Sequence, residues 1–456
     1  MGERSGRYLV RMSAVAHESV RRTSLAAPTS GSLSQLRQGL ALGALAVAPV
    51  FLVLSGDPSR WKRGVIFQLI DALLAALAVL GAAAVVRSAR VERPSPSAAL
   101  VALLAALSVS FVAHPSTPGA MTLVRFAGAI VLAHTLATAP RQLRVQAMKV
   151  WLVWCVAEAI VAVAQLSLGR ALGVPGEVGI PFEELNGFKV PTGTSYGPHP
   201  IATMGLVGIG LALFGTHHGL VSKRWSVVGA SAGAVIVGVT CGTAGAVSLI
   251  ALLISASIRV VALRRRGAVA PSVLPVLLSI VLAFGIAAGV SIDGWRFKAE
   301  RTATTDVAAA SNGRAGMIDE AVAMIKQWPL LGVGPGRFMA TRDAHPNIAA
   351  LATEDQQVHN VPLLIVTESG VLGAAALVFL GLAMARRMRG RAFALTVLLA
   401  MLGHALFDHA PWTFGFGMVQ IALVIGFAAA PSHAPSEATY EATGDASPNA
   451  SPAAKQ

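Results

Sequence analysis

The sequence predicts an all-α, polytopic membrane bundle of about 12 transmembrane helices with one large external loop containing short amphipathic helices. Three observations predict it. The 456-residue chain is 54% hydrophobic and 13% charged, where a soluble domain carries roughly 25% charged residues. Its apolar runs repeatedly reach roughly 17–25 residues, the length that crosses about 30 Å of hydrocarbon. The alternating short segments of a β-barrel are missing from the pattern. The net charge of +14 follows the membrane loops and does not call for nucleic acid. Cys155 and Cys241 both lie in apolar runs and read as small packing residues.

Residues 1–37 are basic, with Arg4, Arg7, Arg11, Arg21, Arg22 and Arg37, and read as a disordered cytoplasmic tail. Nine spans then fit in 38–291: 38–55, 65–87, 97–114, 119–138, 147–167, 199–216, 225–241, 242–258 and 269–291. The pair around Cys241-Gly242-Thr243-Ala244-Gly245 reads as a tight hairpin, because one helix of that length would overshoot the bilayer. Three more spans, 361–383, 391–408 and 413–430, lie within a C-terminal membrane segment 359–430. Residues 431–456 are rich in Pro, Ser, Ala and Glu and read as a second disordered tail.

Lysines and arginines in the short loops set the orientation. Five loops agree on cytoplasmic termini: Arg87, Arg90 and Arg93; Arg141, Arg144 and Lys149; Lys223 and Arg224; Arg259, Arg264, Arg265 and Arg266; and Arg386, Arg387, Arg389 and Arg391. Arg60, Lys62 and Arg63 dissent. Two loops are then external, 168–198 with Pro175, Glu177, Glu183, Glu184 and Lys189, and 292–358 with seven basic and eight acidic side chains.

The larger loop holds the chemistry. Ser311-Asn312-Gly313 opens a helix in which Met317, Ile318, Ala321, Val322, Ile325 and Trp328 recur at helical spacing, and Pro329 closes it. Arg314 shares the face of Met317 and Ile318. A guanidinium held toward the bilayer surface calls for an anion, and a snorkelling arginine or an ion pair gives the same pattern. Gly332-Val333-Gly334-Pro335-Gly336-Arg337 fits an ordinary turn or an anion-binding nest, and lacks the lysine of a P-loop.

His359-Asn360 stands where the next span begins, and its imidazole has the near-neutral pKa that suits a general base. An interfacial histidine facing water or headgroups fits equally. Glu368 lies about 13 Å deeper and on the opposite helical face, so a structural polar contact suits it better than orienting His359. His404, Asp408 and His409 also fall at an outer end, with a spacing that matches no compact zinc motif.

At these residues the chain resembles the O-antigen ligase and polymerase family of membrane glycosyltransferases. The matching blocks are Gly193-Thr194-Ser195-Tyr196-Gly197-Pro198-His199-Pro200, then Ser311 to Phe338, then His359-Asn360 with Glu368-Ser369-Gly370 and Gly373, and more weakly His404 to Asp408. The resemblance implies transfer of a glycan from undecaprenyl-pyrophosphate to a lipid-linked or glycan acceptor hydroxyl, at the outer face of the bacterial cytoplasmic membrane, in surface polysaccharide biosynthesis. It implies a metal-independent reaction with no cofactor. His359 and Arg314 are its catalytic pair, and Lys189, Arg337, Asn360, His199, Glu368 and His404 are its substrate-binding candidates. Polysaccharide chain-length or export proteins are the implied partners. The chain departs from the family at Val190 and Ala244, where arginines are usual, and at Ile318, where tryptophan is usual. The alternatives are a transporter or flippase of lipid-linked solutes, and a non-catalytic assembly subunit.

Overall fold

A computed structural model describes residues 29–50, 53–55, 67–91, 95–174, 183–185, 188–195, 197–265, 273–303, 313–352, 356–389, 391 and 393–430. Tyr196, Ser311, Asn312, Pro175, Glu177, the dissenting Arg60, Lys62 and Arg63, Arg93, Arg266 and the tails 1–28 and 431–456 lie outside the described residues.

Among the described residues, twelve helices overlap the twelve expected spans. They are α1 (Thr29–Val47), α2 (Leu69–Val91), α3 (Pro96–Ala113), α4 (Thr117–Thr138), α5 (Arg141–Leu168), α6 (Pro198–His217), α7 (Lys223–Val239), α8 (Thr243–Arg265), α9 (Val273–Val290), α14 (Val361–Met388), α15 (Ala394–Ala405) and α17 (Gly415–Ala429). Between α9 and α14 lie α10 (Ile292–Thr302), α11 (Arg314–Gln327), α12 (Phe338–Ala344) and α13 (Pro346–Ala349), and α16 (Ala410–Thr413) precedes α17. Among the described residues there are also two small antiparallel pairs: β1 (Val53–Ser55) with β2 (Phe67–Gln68), and β3 (Glu183–Leu185) with β4 (Phe188–Val190). Eight of the helices are long and apolar enough to cross a membrane unaided, and α15 and α17 are shorter apolar helices. The protein is a polytopic all-α membrane protein.

Several boundaries differ from the sequence reading, among them the start of α5 at Arg141 rather than 147 and the end of α8 at Arg265 rather than 258. Helix α1 begins at Thr29 rather than 38, because the polar stretch Thr29–Gln38 has no proline or glycine run strong enough to stop a helix. Helix α15 covers only Ala394–Ala405, since Phe393 starts it in a left-handed conformation (φ 62°). The expected hairpin at Cys241 is present, with Cys241 itself at φ 49° between α7 and α8.

Serine, asparagine and proline at the helix starts set the chain directions. Ser95 accepts from Ala98 N at 3.1 Å, Ser116 from Gly119 N at 3.0 Å and Asn360 from Leu363 N at 2.8 Å. Packing is close where small residues face each other. A Cβ on Gly205 of α6 would stand 2.6 Å from the Gly233 carbonyl oxygen of α7, so this crossing needs glycine. Trp151 of α5 is fully buried and donates to Met204 O of α6 at 3.3 Å. Large apolar side chains such as Val79, Val112, Leu278 and Leu282 remain exposed, as lipid-facing positions require.

The spans alternate in direction. One end of the bundle therefore collects the starts of α2, α4, α6, α8, α14 and α17, the ends of α1, α3, α5, α7, α9 and α15, and the short helices α10–α13. The basic residues Arg87, Arg141, Arg144, Lys149, Lys223, Arg224, Arg259, Arg264, Arg265, Arg386, Arg387, Arg389 and Arg391 gather at the other end.

Candidate active site

The Gly-Thr block that precedes α6 is held from below by two polar side chains of α5. Gln165 accepts from Thr192 N at 3.1 Å and Gly193 N at 2.9 Å, and donates to Gly193 O at 2.9 Å. Glu158 accepts from Thr194 N at 2.9 Å and from the Thr194 hydroxyl. Both are fully buried. Their bonds replace water for a loop that enters the bundle, and they aim the first turn of α6 so that His199 faces the shared end. The hairpin lacking an arginine at Ala244 borders the same histidine: a Cβ on Gly242 would lie 3.8 Å from His199 Nδ1.

The Gly332–Gly336 turn and the Glu368-Ser369-Gly370 block fold into one interlock. Helix α14 breaks at Gly370 (φ 63°, ψ −152°), which frees two carbonyls of the preceding turn. Val333 N donates to Thr367 O and Gly334 N to Glu368 O, both at 3.0 Å, while Val371 N donates to Pro329 O at 2.9 Å. A Cβ on Gly370 would collide with the Leu330 carbonyl group, so a side chain fails there twice, on conformation and on space. Glu368 closes the interlock. Its carboxylate accepts from Gly336 N at 2.8 Å and from Trp412 Nε1 at 3.4 Å. Ser110 of α3 sits 2.5 Å from Leu331 O and 2.7 Å from Glu368 O. The turn's N–H groups are thus used on protein carbonyls and Glu368, and the anion-nest reading loses its donors.

His359 lies between the interlock and the end of α15. Its Nδ1 is 3.1 Å from the Gln357 carbonyl. A carbonyl only accepts, so Nδ1 carries the proton and Nε2 keeps its lone pair. Gln357 is fixed in turn by Thr413, whose hydroxyl accepts from Gln357 Nε2 at 3.0 Å and lies 2.9 Å from His409 Nδ1. Arg125 of α4 donates to Thr413 O at 2.9 Å and pairs with Asp71 of α2 through two bonds of 2.8 Å. A buried ion pair in the membrane domain therefore braces the backbone that orients His359. The His409 ring packs edge-on against His359, with centroids 4.8 Å apart. Burial, first, and then His409 push the His359 pKa down to about 3, against a smaller opposing pull from Asp408. The imidazole is neutral at neutral pH.

Asp408 completes the cluster. Its Oδ1 accepts from Ala410 N at 2.7 Å, and its Oδ2 faces His404 Nε2 at 3.6 Å and His199 Nδ1 at 3.8 Å. Burial raises its pKa, yet the facing His404, His199 and His409 hold it well below the usual carboxylate range. Arg314, at the first turn of α11, is within electrostatic reach of Asp408, His199 and His359. Burial lowers its pKa and Asp408 offsets part of that.

The structure thus brings together His359, Arg314, His199 and His404. Asn360 caps α14 and donates to Leu406 O at 3.1 Å, and Glu368 closes the interlock, so the polar groups of both are engaged by protein. Arg337 is half-buried and flanks Gly334 opposite His114. Lys189 sits on β4 opposite Glu184, and its side chain lies outside the described residues. On α11 the buried face is Met317, Glu320, Ala321 and Met324, with Ile318 and Val322 exposed. Glu320 pairs with Arg342 of α12 at 2.7 Å and ties α11 and α12 together.

Spacing did not single out Gln357, Thr413, Arg125 and Asp71. Two of them carried a signal, since a charged residue inside a membrane span marks a buried partner. No curated protein matches the chain. A family model described as O-antigen ligase matches residues 229–378, from within α7 to within α14, which includes both Arg314 and His359. Over that stretch the chain is similar to the O-antigen ligase family, the family its motifs resemble.

Proposed function

We propose that the protein transfers a glycan from an undecaprenyl-pyrophosphate carrier to a hydroxyl of a lipid-linked or glycan acceptor. The observation that carries this reading is a neutral His359, its Nδ1 held by the Gln357 carbonyl, with Arg314 within electrostatic reach at one end of a membrane bundle. The gathering of basic residues at the opposite end supports an outward-facing site with cytoplasmic termini, in the cytoplasmic membrane of a bacterium.

The acceptor hydroxyl would stand at His359 Nε2 and lose its proton there as its oxygen attacks the anomeric carbon. The bond from that carbon to the carrier's phosphate oxygen breaks, and the electron pair leaves with the pyrophosphate. Arg314 faces the growing charge on the leaving group. General-base assistance of this kind contributes about 10²–10⁴-fold. His359's low basicity is offset by a leaving group that needs no protonation. The interlock and α10–α13 form the wall that keeps water from competing with the acceptor. No step of this transfer runs through a metal or cofactor.

The test is reconstitution with a lipid-linked donor. Wild-type protein should consume the donor and release carrier pyrophosphate, and His359→Ala should lose transfer while remaining in the membrane fraction. Intact donor moved across the bilayer without consumption would instead identify a flippase.

A further inference from the structure

The cluster beside His359 has an unfilled valence that the transfer mechanism does not use. His404 is fully buried, and neither of its ring nitrogens has a hydrogen-bond partner. Its Nε2 points at Asp408 Oδ2, 3.6 Å away, and His199 Nδ1 points at the same oxygen from 3.8 Å. Both separations are too long for hydrogen bonds. They are close to the roughly 3.3 Å edge of a tetrahedron built on metal–ligand bonds of about 2.0–2.1 Å. All three donor atoms lie within 4.8 Å of one another.

We propose that His199 Nδ1, His404 Nε2 and Asp408 Oδ2 bind one divalent transition ion of the zinc class, with a fourth position open to the cavity. Two imidazoles and one carboxylate select zinc, cobalt or nickel over magnesium or calcium, which take oxygen ligands. Asp408 is oriented for the task, because Ala410 N holds Oδ1 and leaves Oδ2 aimed inward. His404 lies in the last turn of α15 and Asp408 follows three residues after that helix ends, which brings the two side chains to one place. His199 supplies the adjustable ligand: its side chain is 40% exposed and lies at the start of α6, where an inward rotation shortens the widest gap toward bonding distance. Sequence spacing hides the site, since His199 joins from another helix.

Arg314, Lys298, His359 and His409 also face this region. The ion therefore sits beside positive charge, and its open position suits an anionic or hydroxide ligand. The proposal concerns occupancy and stands apart from the transfer reaction.

The experiment uses full-length protein in nanodiscs, stripped with chelator and titrated with Co²⁺ by visible absorption and with Zn²⁺ by calorimetry. One ion per chain is expected, with a tetrahedral cobalt spectrum. His404→Ala and Asp408→Asn should each weaken binding at least ~10-fold. Should His404→Ala fail to give monodisperse protein, His199→Ala at the partly exposed ligand reads the same effect. His345→Ala, outside the cluster, should bind as wild type. Absence of stoichiometric uptake by the wild-type protein, or unchanged affinity in the folded ligand variants, overturns the site.

Discussion

Two buried carboxylates stand at the same end of this bundle and have opposite surroundings. Glu368 has both oxygens engaged, by the Gly336 N–H and the Trp412 indole, inside an interlock of backbone bonds. Asp408 has one oxygen engaged and turns the other toward two imidazoles that stand too far to bond. Burial is nearly equal, at 2% and 3% exposure. The difference is that of a closed site and an open one. A carboxylate whose valences are filled by protein holds the scaffold, whereas one left partly open marks where another molecule is received.

The comparison is sharpest at the histidine on the open side. His359→Ala should lower transfer by about 10²–10⁴-fold with no loss of membrane insertion, read by donor consumption in proteoliposomes. Next, Arg314→Ala should lower transfer by about 10²–10³-fold, the scale for removing one donor that stabilises developing charge, and Arg314→Lys should recover part of it. Near-normal turnover in Arg314→Ala would separate α11 from the chemistry.

On the closed side the effect should be on stability. Glu368→Ala leaves the Gly336 N–H and Trp412 indole unpaired and should cost about 1–3 kcal/mol, seen as a lower Tm, while folded protein retains most of its transfer activity. Loss of activity at unchanged Tm would place Glu368 with the open group.

The smallest effect is one of pH. His359 is held at about 3 in the fold, below its unfolded value of about 6.5. Its depressed pKa favours the folded state above the unfolded value, and that contribution is lost as pH falls from about 6.5 toward 3. Transfer should therefore stay level from pH 8 down through pH 6, with no titration midpoint near 6.5. A midpoint there would mean that His359 titrates in open water.

Much of the candidate site was legible because each motif sits at a helix end, where periodicity changes. Arg314, His359 and the Gly193 block were visible in this way. The partners of Gln357 and Arg125 were not, because Thr413 and Asp71 come from spans far along the chain. Asn360 and Glu368 looked available for substrate, since a sequence shows a polar side chain but not the backbone groups that claim it.

By itself the sequence determined the polytopic all-α membrane class and where most of its apolar helices lie. Hydrocarbon thickness and the pattern of arginine and lysine are properties read along the chain. Only the tertiary structure decided which polar groups are satisfied and which are left open. The groups that settle that question, the distant His199 facing Asp408 and the bonded Gly336 N–H of Glu368, are brought together by helix packing and not by chain spacing.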